Sequence, residues 1–448
     1  MTARMTSSLV SLVRGAARPL AGSDADWDAL LDRVGNARFV LVGEASHGTH
    51  EFYRIRADVT RLLIERKGFT AVAVEADWPD AHCVNRYVRG RGRDPGAVEA
   101  LAGFQRFPQW MWRNDVVVDF VEWLRAHNAR LGPAGSPAGF YGIDLYSLHA
   151  SIQSVLAYLA KVDPEAARRA RERYACFDHH GADPQAYGYG AALDLEASCE
   201  EEVVRQLVEL RRQAFDLAQR DGPAAKDDFF SAEQNARVVA NAERYYRSMF
   251  ARRVSSWNLR DTHMAETLDE LERHLGAGGT PPRIVVWAHN SHLGDARATQ
   301  MGRGGELNVG QLVRDRHGAD AVLVGFTTHT GTVTAADDWD EPARRKRVRP
   351  SLPGSWERLF HETGVPAFYL DLHESETLAD AMSETMLERA IGVIYRPETE
   401  RWSHYSDAEL SAQFDAVIHL DETRALHPLE RTPRWEHDEP AETYPTGI

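Results

Sequence analysis

Two short stretches of this chain hold titratable side chains at spacings that suit proton transfer. In Gly43-Glu44-Ala45-Ser46-His47-Gly48-Thr49-His50-Glu51, Glu44 and His47 stand three residues apart. A carboxylate so close can fix the tautomer of the imidazole and support the charge it gains on taking a proton, so the pair can activate water. In His289-Asn290-Ser291-His292 two histidines are again three apart, and a helical turn would set both on one side. Glu75, in Glu75-Ala76-Asp77-Trp78, adds a further carboxylate. Arg54 and Arg56 follow the first stretch on different faces of a helix, where either can pair with Glu44 or Glu75 or hold a developing oxyanion.

The same residue types admit other readings. His47, His50, Glu51, Glu75, His289 and His292 supply nitrogen and oxygen ligands enough for a divalent metal. The order His47-x-x-His50-Glu51 is not that of a zincin helix, however, and the two arginines would oppose a cation. Each stretch is also compatible with ordinary structure: a helix cap at Ser46 or Thr49, acids at a helix N-terminus at Glu75, or packed core histidines.

Three apolar runs must position these groups. Phe39-Val40-Leu41-Val42 precedes Glu44, Ala71-Val72-Ala73-Val74 precedes Glu75, and Ile284-Val285-Val286-Trp287 precedes His289. Unbroken runs rich in branched residues suit strands buried on both faces, as in a parallel sheet. In open α/β sheets ligands bind at the carboxyl ends of such strands, so the five groups should converge on one rim. The expected fold is α/β: a mostly parallel central sheet flanked by helices, with a large all-helical insertion forming a cleft.

Along the chain, residues 1–36 read as a polar lead with a short helix around Trp27–Val34, and 37–146 as the first part of the α/β core. A helix runs from Glu51 to Lys67, another starts at Asp80, and a third starts at Phe107 and continues to Ala129. Gly139–Ile143 forms a strand ending at Asp144. Residues 147–277 carry helical periodicity with few β-branched runs, broken at Asp221-Gly222-Pro223 and by a loop over 178–190. The second part of the core, 278–430, holds strands at 284–288, 321–326, 366–370, 390–395 and 415–420, with a hairpin over 327–334. The remainder, 431–448, reads as a polar tail.

Composition narrows the function classes. A net charge of −15 with no long basic stripe argues against nucleic acid as a partner. The basic cluster Arg344-Arg345-Lys346-Arg347 follows several acids and reads as a solvated loop. No apolar run is long enough for a membrane span. The Leu9–Val13 run is shorter than a signal-peptide core and ends at Arg14. Cys83, Cys176 and Cys199 are odd in number and lack a C-x-x-C, which gives neither a disulfide framework nor a zinc knuckle and points to a reducing, cytoplasmic setting. There is no nucleophile elbow, Walker loop, dinucleotide fingerprint or H-E-x-x-H motif.

The stretches Gly43-Glu44-Ala45-Ser46-His47-Gly48-Thr49-His50-Glu51-Phe52, Glu75-Ala76-Asp77-Trp78, Tyr141-Gly142-Ile143-Asp144-Leu145-Tyr146-Ser147, Val286-Trp287-Ala288-His289-Asn290-Ser291-His292-Leu293-Gly294-Asp295, Arg401-Trp402-Ser403-His404-Tyr405 and Gln413-Phe414-Asp415-Ala416-Val417 together resemble the erythromycin esterase family, over residues from about 37 to 430. The chain is more similar to its broad esterase-like, succinoglycan-biosynthesis-like bacterial branch than to its antibiotic-resistance enzymes. The resemblance implies a hydrolase that opens a macrolide lactone or related ester with an activated water, without a covalent serine intermediate, cofactor or established metal. It matches the general base to His47, its companion to Glu44, the second acid to Glu75, the helix arginine to Arg56 and the later histidines to His289 and His292. Arg54, Trp110, Trp112, Tyr146, His404 and Tyr405 are the further candidates for lining a substrate cleft. Two other readings stay open: a metal-dependent hydrolase built on the same cluster, and a binding protein that keeps the cleft without turnover. The expected partner is a small-molecule ester; oligomeric state is left open.

Overall fold

The computed structural model describes residues 3–132, 135–180, 184–192, 198–218, 223–250 and 253–436. Its strands are β1 (Arg18–Pro19), β2 (Phe39–Val42), β3 (Ala71–Asp77), β4 (Gly139–Asp144), β5 (Ile284–Trp287), β6 (Ala321–Ala335), β7 (Arg344–Val348), β8 (Ala367–Asp371), β9 (Thr385–Arg389), β10 (Tyr405–Glu409) and β11 (Ala416–Thr423). Nine of them form one sheet in the order β1-β8-β11-β6-β2-β5-β3-β4, with β7 pairing on β6. From β11 across to β4 every neighbour is parallel; β1, β8 and β7 join antiparallel at one side. The fold is α/β with a mostly parallel sheet flanked by helices.

Alternation along the central strands feeds two cores. Val40, Val42, Val72, Val74, Val285 and Trp287 pack on one face, while Phe39, Leu41, Ala71, Ala73, Ile284 and Val286 pack on the other. Both faces are therefore dry, which is why these runs show no polar alternation. The register aligns the strand ends: Val42 and Val74 both pair with Trp287 of β5. Glu44, Glu75 and His289 consequently leave the sheet at nearly the same level.

Between β4 and β5 the chain forms a run of helices, Leu148–Val162, Pro164–Tyr174, Pro184–Ala192, Glu200–Ala218, Pro223–Met249 and Arg253–Leu275, most of which share a core of their own around Leu145, Val155 and Val239. The last of them packs back on β4 and on the helix Val309–His317. No helix among the described residues is long and apolar enough to cross a membrane.

Several expectations are corrected. Residues 3–16 form a helix whose Leu9, Val10 and Val13 are buried, so the lead is partly structural. The basic cluster is strand β7: alternation along it buries Lys346, which donates to the Tyr395 carbonyl and pairs with Asp337. The hairpin therefore joins the end of the long β6 to β7, not two halves of 327–334. Residues 390–395 are not a strand; β9 lies just before them and pairs with β10 outside the main sheet. The helix expected from Phe107 begins at Asp115, where Asn114 caps it by accepting the Val117 N–H. The described part of 178–190 is helical turn and helix rather than loop. Cys176 and Cys199 form a disulfide, against the expectation from their number and spacing, and only Cys83 is free. Of the supposed tail, Pro433–Glu436 is a helical turn with Trp435 buried, and 437–448 lies outside the described residues. The break at Asp221-Gly222 also lies outside them.

Candidate active site

The turn after β2 is held from two sides. Ala45 accepts the Ile391 N–H, and the Glu44 carbonyl accepts the Asn290 N–H. Gly48 sits against β6 so closely that a Cβ there would collide with the Thr334 carbonyl, which fixes the turn at a residue without a side chain. Helix His50–Lys67 then leads away, ending at Gly68 in the left-handed region.

Within this turn Nδ1 of His47 lies 2.9 Å from Oε1 of Glu44. A carboxylate accepts, so in the neutral ring Nδ1 carries the proton and the lone pair is on Nε2, which lies 3.9 Å from Oε1 of Glu75. Behind Glu44, Arg56 is only 1% exposed; its Nη2 is 3.0 Å from Glu44 Oε2, close as an ion pair though not aligned as a hydrogen bond. Its guanidinium also lies over the rings of Tyr53 and Trp287. Arg56 thus holds Glu44 from beneath and does not face the cleft, which removes it as an oxyanion donor.

Glu75 is the hub. Its Oε2 accepts the backbone N–H of His289 at 2.9 Å, and its Oε1 accepts from Arg260 Nη2 at 2.7 Å. Burial alone would raise the pKa of this carboxyl; His292 and His47 in their protonated forms, Arg260 and the His289 N–H outweigh it and hold Glu75 far below the usual carboxylate range. Arg260 also donates to both oxygens of Asp144, at 3.0 and 2.7 Å, and its Nη1 is 3.0 Å from His292 Nε2. His292 in turn sets Nδ1 against Asp261, at 2.9 Å, and stacks on Trp257 with ring centroids 4.6 Å apart. Burial lowers the His292 pKa, but Asp261 and Glu75 together raise it on balance.

His289 is different in kind. It caps the short helix Asn290–Leu293, its Nδ1 accepting the Ser291 N–H, so a neutral ring carries its proton on Nε2. That Nε2 is buried without a hydrogen bond of good geometry, although the Ala45 carbonyl favours a proton on it. Burial and the neighbouring His47 push its pKa down to about 3, which keeps it a neutral N–H donor. The rings of His47 and His289 are 4.8 Å apart.

These groups open into one cleft of about 350 Å³. His47, Glu75, His289, His292, Trp112 and Tyr146 line it, as the sequence suggested, together with Phe104, Phe107, Trp257 and Trp339. Four candidates lie elsewhere. Arg54 is exposed and pairs with Asp58 on its own helix, because it points to the opposite helix face from Arg56. Trp110 turns away into a separate depression beside Asp340 and Pro428. His404 and Tyr405 stand behind the cleft rim: the His404 carbonyl accepts the Ala390 N–H, and the Tyr405 hydroxyl accepts the Leu352 N–H.

Asp144, Arg260, Asp261 and Trp257 escaped the sequence reading. Asp144 ends a strand in the manner of Glu75 and was legible in principle. Arg260 and Asp261 sit in the middle of helix Arg253–Leu275, where nothing local separates them from surface charges.

The metal reading loses two of its six ligands. His50 faces the ring of His427 and Glu51 pairs with Arg424, so both leave the set. The place between Glu75, Asp144 and His292 where a cation would sit is filled by the Arg260 guanidinium. No three His, Cys, Asp or Glu side chains among the described residues converge as metal ligands.

Comparison with known proteins agrees with this architecture. The erythromycin esterase family model matches residues 64–423. An erythromycin esterase type II of Escherichia coli is 24% identical over 321 residues, covering 69% of this chain and 73% of its own. Among solved structures, a Bacillus cereus protein superposes with a TM-score of 0.79 at 19% identity, over 95% of this chain and 99% of its own. A mutant of the erythromycin esterase EreC in its open conformation superposes with a TM-score of 0.62 at 18% identity, over 93% and 96%. With the family model spanning most of its length, the chain belongs to the erythromycin esterase family, a membership that supports a hydrolase acting on esters.

Proposed function

We propose that this chain hydrolyses an ester by direct attack of a water that His47 deprotonates. The observation that carries the reading is the pairing of His47 Nδ1 with Glu44, which in the neutral ring puts the lone pair on Nε2 at the cleft, beside a neutral His289. A water resting on His47 Nε2 and Glu75 Oε1 attacks the carbonyl carbon and gives its proton to Nε2. The oxygen of the tetrahedral adduct accepts from His289 Nε2–H. When the adduct collapses, the ester C–O bond breaks and His47 returns the proton to the leaving alkoxide, giving acid and alcohol. A buried neutral imidazole suits the oxyanion role, since its N–H needs no reorganisation as charge develops. Glu44 supports the imidazolium and Arg56 holds Glu44.

The aromatic wall of Phe104, Phe107, Trp112 and Trp257 favours an ester with a sizeable apolar part, and a macrolide lactone is the first candidate because an erythromycin esterase is among the relatives. The test is a turnover screen on erythromycin, aryl esters and acylated sugars with wild type and His47→Asn. The variant should lose about 10²–10⁴-fold in kcat with its melting temperature nearly unchanged. Hydrolysis in ¹⁸O-water should label the acid product without a burst of alcohol. Wild-type turnover in His47→Asn, or a stoichiometric burst, would overturn the reading.

A further inference from the structure

For His289 to stabilise an oxyanion its proton must sit on Nε2, and the groups on that side do little to keep it there. Nε2 is buried with no hydrogen bond of good geometry among the described residues, and the Ala45 carbonyl favours a proton on it but is poorly placed to hold one. Glu75 takes the peptide N–H of His289, not its ring. Which nitrogen of a neutral imidazole carries the proton is set by what the other nitrogen meets. The ring is therefore governed from Nδ1, and both donors that reach Nδ1 among the described residues belong to Ser291. The hydroxyl oxygen lies 2.9 Å from it and the peptide nitrogen 3.3 Å.

The two donors differ. A peptide N–H can only donate, so a proton on Nδ1 would set two N–H groups against each other. That fixes the sense of the arrangement and turns the Ser291 hydroxyl proton toward the ring. The N–H contact is the longer and weaker of the pair, which leaves the hydroxyl as the main hold on the imidazole. The turn itself does not need that hydroxyl. Asn290 anchors it to β6, its amide donating to the Phe326 carbonyl at 2.8 Å and accepting the Phe326 N–H at 3.2 Å. On the other side Asn308 donates to the Ser291 carbonyl at 2.9 Å. Ser291 borders both the cleft and a second cavity of about 30 Å³, so water on either side could satisfy a hydroxyl with no partner in the protein. A serine on a histidine in a cleft is also the layout of a nucleophile and its base. Burial and His47 hold the His289 pKa down to about 3, however, which makes the ring too weak a base for that part.

We infer that Ser291 is a positioning residue for hydrolysis: its hydroxyl donates to His289 Nδ1 and so holds the ring in the tautomer and orientation that present Nε2–H to the oxyanion. The positioning role rests on the oxyanion reading of His289; the hydrogen bond does not.

The test reads the ring directly. In the full chain labelled with ¹⁵N-histidine, long-range ¹H–¹⁵N correlation shows which nitrogen is protonated, and His289→Asn identifies the His289 signals by their loss. The wild type should show Nε2 protonated and Nδ1 as a hydrogen-bonded acceptor. In Ser291→Ala the Nδ1 signal should move to that of a free acceptor or reveal the second tautomer. Ser291→Thr, whose methyl the small cavity can admit, should restore the wild-type pattern. On an ester the wild type hydrolyses, Ser291→Ala should lower kcat about three- to tenfold, the effect of one neutral hydrogen bond, with KM nearly unchanged, and Ser291→Thr should recover most of the loss. Should Ser291→Ala fail to fold, Ser291→Cys, a weak donor of similar shape, takes its place. A proton on Nδ1 in the wild type, unchanged His289 signals in the folded variant, or altered signals with undiminished kcat would overturn the inference. The expected nitrogen signals with no ester hydrolysed by the wild type would instead overturn the catalytic reading, and the positioning role with it, leaving only the hydrogen bond.

Discussion

Arg260 donates to Oε1 of Glu75 at 2.7 Å across 185 residues of chain, joining the last inserted helix to the end of a central strand. The same guanidinium reaches Asp144 and His292, so one side chain sets the charge and orientation of three cleft groups.

Replacing it by lysine keeps the charge but not the fork, and an ammonium cannot serve all three partners in one plane. Arg260→Lys should lower kcat by about tenfold or more, as expected when a positioning group is displaced. Arg260→Met leaves Glu75 and Asp144 buried without a counter-charge and should cost about 3–5 kcal/mol of stability. Steady-state kinetics and urea unfolding of both variants check this, and equal stability in all three proteins would contradict it.

Glu44 bears on both tautomer and charge. Glu44→Gln retains an oxygen for the His47 Nδ1–H but removes the support for an imidazolium and strips Arg56 of its partner. The variant should lose about 10²-fold or more in kcat, with little change in KM. Its stability should fall as well, because a buried guanidinium then stands uncompensated.

Glu388 makes the opposite case. It lines a small separate pocket with Trp257 and Asn290, is 5% exposed and accepts from Gln413 at 2.8 Å, and burial pushes its pKa up to about 7. A carboxyl with a raised folded-state pKa binds its proton more tightly folded than unfolded. Its contribution is therefore present below the unfolded value near 4.5 and is lost as pH rises through 7. Glu388→Gln, which stays neutral, should gain about 1–3 kcal/mol over wild type at pH 8 and nothing near pH 4. Thermal melts across that pH range read the difference directly.

The disulfide closes a loop with a sequence separation of 23 residues in the helical insertion. Loop closure of that size contributes about 3 kcal/mol in the chain-entropy account. Cys176→Ser should lower the melting temperature measurably, and reduction of the wild type should lower it to a similar degree while leaving the variant unchanged.

How far the sequence reached can be seen residue by residue. The β2, β3 and β5 runs were legible because burial on both sheet faces writes itself as unbroken apolar sequence, and the groups just after them had to share a rim. Glu44, His47, Glu75, His289 and His292 follow from that rule. β7 did not, because Lys346 is buried inside a run of basic residues whose ends are solvated. Spacing alone does not separate Arg54 from Arg56, and only the family resemblance singles out Arg56; helix phase sends the first to solvent and the second beneath Glu44. Arg260 and Asp261 were invisible: a charged pair in mid-helix acquires meaning only from the strand ends it meets. The aromatic candidates divided likewise, Trp112 reaching the cleft and Trp110 turning from it, since the expected helix does not begin until Asp115.

The insertion also imposes an order of events on a newly made chain. The β2, β3 and β4 segments are synthesised before the helix that bears Arg260, and β5 with its two histidines comes after it. Until that helix docks and β5 joins β3, Glu75 has neither its guanidinium nor the His289 amide, and the imidazole of His47 has only Glu44 of its own turn beside it. On the proposed mechanism a partly assembled molecule is catalytically silent, so the first appearance of turnover during refolding would time the docking of the insertion rather than the formation of the sheet.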